Sequence, residues 1–303
     1  MEWMIVSFPV SGVQTWLWLP PLVAFVISFF TSMVGVSGAF LLLPFQMSVL
    51  NFTSPAVSST NLVFNLLAIP SGVYRYVREG RMLWPLTWIV TAGTLPGLIG
   101  GYYVRVLYLP DPRHFKLFAG AVLLYIGYRL LGEFMPWRKS AAKAAPIPNN
   151  GVMSMKPLHF SFAETAFEFR GERYAFSTPA MFMLALAVGM IGGIYGIGGG
   201  SIIAPFCIAI FGLPVHAVAG AALAATLFTS VVGVCLYSVL PAPAGMVTQP
   251  DWALGLLFGI GGVAGMYLGA RCQKHVPQRL LKLLLGGLLI FLAGHYISAF
   301  FLA

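Results

Sequence analysis

A run of glycines interrupts apolar sequence in the second half of this chain and restricts how that segment can fold. Residues 196–201 read Gly-Ile-Gly-Gly-Gly-Ser, and Pro205 follows them. Adjacent glycines weaken a helix, and a proline removes one of its backbone hydrogen-bond donors. In hydrocarbon, freed backbone groups are tolerated only where they are buried in protein or line a wet cavity. The run therefore predicts a broken helix whose freed backbone groups are buried in protein or line a wet cavity.

The composition places the chain in a membrane. Of its 303 residues, 59% are hydrophobic and only 8% are charged, whereas a soluble domain is about one quarter charged. We expect an all-α polytopic protein of the cell inner membrane, in contact with the lipid bilayer. The net charge of +9 falls between apolar segments, where it sets topology, and it does not indicate a nucleic-acid partner. The three cysteines have no spacing typical of a disulfide framework or a zinc site, so neither a metal nor a cofactor is expected.

Two of the apolar segments are unusual in length. Most segments fit one membrane span of about 20 residues, but 20–50 and 179–212 are too long for a straight span and contain the predicted breaks. The eight segments are 20–50, 54–74, 84–108, 114–135, 179–212, 215–240, 252–271 and 279–301.

The two halves of the chain resemble each other. An ungapped shift of 161 positions aligns glycines and prolines at the breaks, and a small gap then aligns two small-x3-small patterns that let helices approach closely. The aligned pairs are Gly35 with Gly196, Gly38 with Gly199, Pro44 with Pro205, and Gly97-x3-Gly101 with Gly265-x3-Gly269. We predict two homologous repeats, 1–135 and 179–303, joined by a cytoplasmic linker, 136–178. Within the linker, 158–176 is expected to form a short strand pair or a surface helix.

The distribution of basic residues favours inverted repeats. The loop holding Arg75, Arg78 and Arg81 and the loop at 271–282 are basic and should be cytoplasmic, whereas 241–251 carries no Lys or Arg and should be outside. These assignments agree if each broken segment is a re-entrant hairpin and each half adds about three full crossings. The 105–116 loop does not fit, because it would lie outside while carrying Arg105, Arg113 and Lys116. Eight full spans are the alternative.

The breaks are the first candidate for a binding site. Successive backbone N–H groups in a glycine-rich turn can form an anion-binding nest, and a helix that begins there directs its positive end at the ligand. Two such turns could meet in one central site. The candidate residues are Gly35, Ser37, Gly38, Gly198, Gly199, Gly200 and Ser201. The alternative is that these glycines only allow close helix packing.

A polar face on the next helix is the second candidate. Ser58, Asn61 and Asn65 follow helical spacing, and the shift of 161 aligns Asn65 with Thr226. We expect Asn61, Asn65 and Thr226 to supply further hydrogen bonds to an anion. Hydrogen bonding between helices is the alternative.

The spans contain essentially no Asp or Glu, so a carboxylate site for a coupling proton or sodium ion is not visible. Export of an anion from a cell that is negative inside needs no coupling ion, because each charge gains about 2.3 kcal/mol per 100 mV. We expect no catalytic residues. An intramembrane enzyme or a thiol redox relay would use Ser37, in the sequence Gly-Val-Ser-Gly, or Cys207, with His216 or His295 as a base.

The motif GIGGG-x4-P, at residues 196–205, is followed by a helix start at Pro214-Val215-His216-Ala217-Val218. This arrangement resembles the TauE/SafE family of sulfite exporters, and the resemblance covers nearly the whole chain except the ends and the insert. The first copy differs, since Ser37 and Ala39 replace glycines. The resemblance implies a duplicated membrane protein of seven to eight spans linked to sulfite, sulfonates and related anions.

We therefore expect a membrane transporter that exports a small sulfur oxyanion, sulfite or a short organosulfonate. An uptake permease for a similar anion is the alternative in the same class. The oligomeric state, a homodimer included, is left open by the sequence.

Overall fold

The computed structural model describes residues 5–34, 37–132, 155–169, 171–243, 245–272 and 276–302, and it is mostly helical. The helices, in chain order, are α1 (Leu19–Val34), α2 (Ala39–Ser48), α3 (Ala56–Ala68), α4 (Pro70–Arg78), α5 (Trp84–Tyr103), a π-helix (Val104–Tyr108), α6 (Pro112–Gly132), α7 (Thr178–Tyr195), α8 (Gly200–Phe211), α9 (Val215–Val239), α10 (Trp252–Cys272) and α11 (Gln278–Leu302).

Six helical stretches among the described residues are long and apolar enough to cross a membrane. They are Ala56–Arg78, Pro112–Gly132, Thr178–Tyr195, Ala217–Val239, Trp252–Gly269 and Arg279–Phe301. Large apolar side chains remain exposed on these helices, including Phe291 at 71% and Ile260 at 59%, as expected for surfaces that face lipid. The predicted multi-pass membrane protein is confirmed.

Both segments predicted to be broken consist of two helices. In the first, α1 ends at Val34 and α2 begins at Ala39; in the second, α7 ends at Tyr195 and α8 begins at Gly200. Gly196 and Gly198 have φ angles of 82° and 76°, in the left-handed region that side chains other than glycine disfavour. These two glycines therefore end α7. Gly35, the predicted counterpart of Gly196, lies outside the described residues.

Two pairs of helices pack in parallel through glycines. On α5, Gly97 packs directly against the backbone of α7. A Cβ atom added to Gly97 would lie 2.8 Å from the backbone nitrogen of Met190. On α10, Gly265 and Gly269 face the backbone carbonyl oxygens of Phe25 and Phe29 on α1. The predicted close approach at small-x3-small patterns is thus observed for both α5 with α7 and α10 with α1.

Two other pairs pack in an antiparallel sense. The middle of α3 lies against the second half of α9, where a Cβ atom at Gly233 would meet Leu62, and Tyr76 of the following α4 lies against Gly220 near the start of α9. Similarly, α6 runs against α11. The contacts that define this second pair are Gly120 with Ile297, Gly127 with Ile290, and Leu131 with Gly286.

The mostly helical structure agrees with the predicted all-α polytopic membrane protein, and the described residues also form two small β-sheets. Strands β1 (Ile5–Ser7) and β2 (Gln14–Trp16) form an antiparallel hairpin. Strands β3 (Met155–Phe160), β4 (Glu164–Phe169) and β5 (Glu172–Ser177) form a three-stranded antiparallel sheet, where the sequence predicted a strand pair or a surface helix. Phe167 is fully buried, and Phe176 contacts the ring of Phe211. This apolar face attaches the sheet to the end of α8.

Candidate functional site

The two helix breaks meet at the side chain of Asn61 on α3. Its Nδ2 atom donates to the carbonyl oxygen of Ala39, at the first break, and to that of Gly196, at the second, each at 2.9 Å. The hydroxyl of Tyr195 also donates to the carbonyl of Phe40 at 2.8 Å. A single buried amide therefore joins the two breaks that the sequence predicted would come together.

Asn65, one helical turn further along α3, contacts the second break alone. Its Nδ2 atom donates to the carbonyl of Ile197 at 3.1 Å, while its Oδ1 atom is buried without a partner among the described residues. Gln46 lies beside Asn61, with 3.5 Å between its Nε2 atom and Asn61 Oδ1. In this conformation the asparagine donors bind backbone carbonyls, so their observed contacts are those of the interhelical alternative.

The glycines of the second break pack closely against α5, α7 and α9. A Cβ atom at Gly198 would lie 2.8 Å from Thr226 Cγ2 on α9, and one at Gly199 would lie 2.7 Å from Thr94 Cγ2 on α5. At Gly200 it would meet the carbonyl oxygen of Ala222. Close packing therefore accounts for the absence of side chains at these positions, whether or not a ligand also binds there.

The backbone donors of the same turn are arranged differently. The N–H groups of Gly196 and Ile197 both donate to the carbonyl of Gly192, at 2.9 and 3.1 Å. By contrast, those of Gly198, Gly199 and Gly200 donate to no acceptor among the described residues. Gly198 is left-handed and Gly199 is right-handed, with a φ of −61°, which is the alternation that forms an anion-binding nest.

The hydroxyl groups of the predicted site bind nearby backbone. Ser201 donates to the carbonyl of Ile197 at 2.9 Å, and Thr226 donates to that of Ala222 at 2.8 Å. The Ser201 and Thr226 oxygens lie 3.3 Å apart. At the first break, Ser37 Oγ accepts from the N–H of Ala39 at 3.3 Å. The hydroxyls of Ser37 and Ser201 therefore bind backbone at the helix starts after the breaks, whereas that of Thr226 binds the preceding turn in the middle of α9.

Gly38 lies at the first break, as the N-terminal cap of α2. A Cβ atom there would lie 3.1 Å from Ser28 Oγ and 3.4 Å from Thr31 Oγ1, both on α1. The Ser28 hydroxyl is buried without a partner among the described residues. The first break therefore has a polar lining contributed by α1, which the sequence reasoning did not identify.

Arg105 is the residue that sequence reasoning misplaced. It was assigned to an external loop, but it is fully buried within the π-helix that ends α5. Its Nε atom lies 3.3 Å from Ser58 Oγ, its Nη1 atom donates to the carbonyl of Leu109, and its Cζ atom lies 3.7 Å from the centre of the Phe115 ring. Its Nη2 atom has no partner among the described residues. A buried cation is not a topology signal, so Arg105 should be removed from the charge count of that loop.

Ser58 connects Arg105 to the second break. Its hydroxyl donates to the carbonyl of Ile194 at 3.1 Å. A Cβ atom added to Gly196 would meet the backbone of Ser58. The signal that could have identified Arg105 was its position in the sequence. It directly follows an apolar helix and precedes Pro110, so its side chain can fold back into the bundle.

Among the described side chains, those proposed for an enzymatic alternative do not form a reactive group. Cys207 is buried, with its sulfur 3.6 Å from that of Met181, and apolar burial disfavours a nucleophilic thiolate. Ser37 accepts a backbone hydrogen bond. Within the described part of the chain, no histidine lies within hydrogen-bonding distance of either side chain; His216 is among the residues whose side chains are not described.

The apolar spans and the two broken helices that meet at Asn61 define a multi-pass membrane protein with a polar centre. The sequence matches the family model for sulfite exporter TauE/SafE over residues 21–296, and the chain therefore belongs to the TauE/SafE family.

A curated relative is the probable membrane transporter protein YunE of Bacillus subtilis (strain 168). It is 24% identical over 270 residues, which cover 86% of this chain and 90% of the relative. No solved structure gives a significant match. The family and this relative support a membrane transporter rather than an enzyme.

Proposed function

We propose that this protein exports a small sulfur oxyanion, sulfite or a short organosulfonate, across the cell inner membrane. The observation that carries the proposal is the meeting of two helix breaks at Asn61, beside backbone N–H groups that have no acceptor among the described residues. Broken helices of this kind hold anions in transporters, and the family name gives the substrate class.

The helix packing supports two inverted repeats, 1–135 and 179–303, joined by the 136–178 linker. If α3 and α6 correspond to α9 and α11, each helix lies antiparallel to its counterpart, as the Gly233–Leu62 and Gly127–Ile290 contacts indicate. Correspondingly, α5 packs in parallel on α7 while α10 packs in parallel on α1. If α1 corresponds to α7 and α5 to α10, a two-fold axis in the membrane plane converts the α5–α7 pair into the α10–α1 pair.

The short helices support re-entrant hairpins. At 1.5 Å per residue, the 10 residues of α2 and the 12 residues of α8 extend about 15 and 18 Å, roughly half of the hydrocarbon thickness. In this arrangement the linker is cytoplasmic.

The anion binds between the two breaks. The N–H groups of Gly198, Gly199 and Gly200 form one half of the site, and the residues predicted at the first break, Gly35, Ser37 and Gly38, form the other. Ser201 and Thr226 border the second turn. Asn61 and Asn65 hold the carbonyl groups of the breaks, and they release donors to the anion when one repeat rocks against the other.

The transport direction follows from the membrane potential. An anion that leaves a cell with a negative interior gains about 2.3 kcal/mol per charge per 100 mV, so export proceeds without a coupling ion. The test is efflux from proteoliposomes loaded separately with sulfite, sulfoacetate, taurine or sulfate. Loss of sulfite or sulfoacetate above that from protein-free vesicles is expected; retention of all four compounds by vesicles with folded protein would refute the proposal.

A variant of the second break tests the site itself. Gly199→Leu should abolish efflux, because its side chain would enter the space of Thr94 and of the Gly189 backbone, 2.7 and 2.8 Å from the Cβ position. Gly294→Leu is a matched control, since Gly294 lies within a helix and nothing lies within 4 Å of its Cβ position. Wild-type efflux by a folded Gly199→Leu protein would remove the second break from the mechanism.

A further inference from the structure

We propose that Arg105 is a substrate-binding residue that supplies the positive charge of the anion site, through the free hydrogens of its Nη2 atom. This inference rests on the proposed anion transport and extends it, since it names the charged group that recognises a small oxyanion. Sulfite and short sulfonates belong to this chemical class.

The first argument is the unused donor. The Nε and Nη1 atoms of Arg105 bind Ser58 Oγ and the carbonyl of Leu109, but Nη2 is buried without a partner among the described residues. A purely structural arginine would be expected to pair all its donors when it is buried. An oxyanion that accepts from Nη2 would complete the set.

The second argument is the uncompensated charge. Within the described ranges, the ion pairs join Arg75 and Arg81 to Glu79, and His114 to Asp111; no carboxylate pairs with Arg105. A guanidinium keeps its charge in a protein, and burial without a counter-ion is strongly unfavourable. The ring of Phe115 provides partial compensation by a cation–π contact.

The third argument is the orientation of the neighbouring helices. Ser58 lies in the first turn of α3, and Phe115 lies in the first turn of α6. Arg105 thus contacts the positive ends of two helix dipoles, where a negative group is favoured. The carbonyl of Leu109 offsets only part of this potential. An anion at this position would satisfy the guanidinium and both helix ends.

The position of Arg105 links it to the second break and to the end of the bundle. Ser58, which binds Arg105, also binds the carbonyl of Ile194 just before Gly196. At the same end lies a cavity of about 330 Å³ that is lined in part by Val247, whose carbonyl accepts from the N–H of Ala56. An anion that moves between this cavity and the break would pass the first turn of α3, where Arg105 is held.

The test compares sulfite transport and sulfite binding in Arg105 variants. Arg105→Gln should lower kcat/KM for sulfite efflux about 10- to 100-fold, the range expected for losing one charged hydrogen bond. Arg105→Lys keeps the charge but loses the shape of the guanidinium, and its KM should rise about 10-fold. The control is Arg113→Gln, an exposed arginine eight residues further on, which should retain the wild-type values.

A binding readout separates this role from a structural one. In detergent at fixed ionic strength, replacing chloride by sulfite should raise the Tm of wild-type protein and of Arg113→Gln, but not that of Arg105→Gln. If Arg105→Gln does not fold, Arg105→Lys decides alone. An unchanged sulfite KM in Arg105→Lys, or a sulfite-dependent Tm rise in Arg105→Gln equal to that of wild type, would overturn the inference. Because wild-type efflux is measured in parallel, its absence would instead refute the proposed function.

Discussion

Asn61 is predicted to be the main polar connection between the two halves of the transporter. The perturbation is Asn61→Leu, which keeps a similar side-chain volume and removes the amide. Two buried carbonyl groups, those of Ala39 and Gly196, then lose this donor. The Gly196 carbonyl is then unpaired, at a cost of about 1–3 kcal/mol, whereas the Ala39 carbonyl, in the first turn of α2, keeps its intrahelical donor and loses about 0.5–1.5 kcal/mol. The free energy of unfolding should therefore fall by about 1.5–4.5 kcal/mol.

The matched control for this change is Asn65→Leu. Asn65 is equally buried on the same helix but donates to one carbonyl, that of Ile197. The Ile197 carbonyl keeps the Ser201 hydroxyl as a donor, so the expected loss is that of one hydrogen bond, about 0.5–1.5 kcal/mol, well below that of Asn61→Leu. Both variants replace a buried amide on α3 by an apolar side chain. The difference between their free energies of unfolding therefore reports mainly on the backbone carbonyl groups that lose a donor.

The assay is reversible unfolding in mixed micelles, followed by circular dichroism as the fraction of denaturing detergent increases. Sulfite efflux of the same variants in proteoliposomes should fall for Asn61→Leu, since the breaks would no longer be held together. If Asn61→Leu were as stable as wild type within about 0.5 kcal/mol, or less destabilising than Asn65→Leu, the two carbonyl bonds would not join the halves.

Two further changes test the helix packing and the loop before α10. Gly265→Ala should destabilise the protein by about 1–3 kcal/mol, because its Cβ would meet the carbonyl of Phe25; Gly287→Ala, with nothing within 4 Å, should be neutral or slightly stabilising, and equal Tm values would contradict this. Asp251→Ala should lower stability by about 2–4 kcal/mol, because the buried carboxylate accepts from the N–H of Leu254 at the start of α10 and from the N–H and hydroxyl of Ser11; an unchanged unfolding free energy would show that these hydrogen bonds do not stabilise the fold.

The sequence predicted the features of this fold that depend on local chemistry. Long apolar segments fix the spans, and the glycines at 196–200 fix the end of α7, because left-handed backbone is accessible mainly to glycine. The small-x3-small patterns likewise predicted close helix contacts, although not which helices would be partners. That information depends on the tertiary arrangement, in which Gly97 meets α7 and Gly265 meets α1.

The candidate site was only partly accessible from the sequence. Asn61 was identified as a polar residue of the bundle interior, but its two carbonyl partners come from segments far apart in the chain. Arg105 was missed because it was grouped with Arg113 and Lys116 in the basic 105–116 loop between two spans. Its burial depends on a π-helix and on Ser58 and Phe115, which no local pattern reveals.

The measurement that tests the central claim most directly is the initial rate of sulfite efflux from proteoliposomes at a series of imposed membrane potentials, without sodium or proton gradients. The account predicts that efflux accelerates as the interior becomes more negative, and that protein-free vesicles show no such response. Efflux that is independent of potential, or that appears only with a sodium or proton gradient, would contradict potential-driven export and favour a coupled permease.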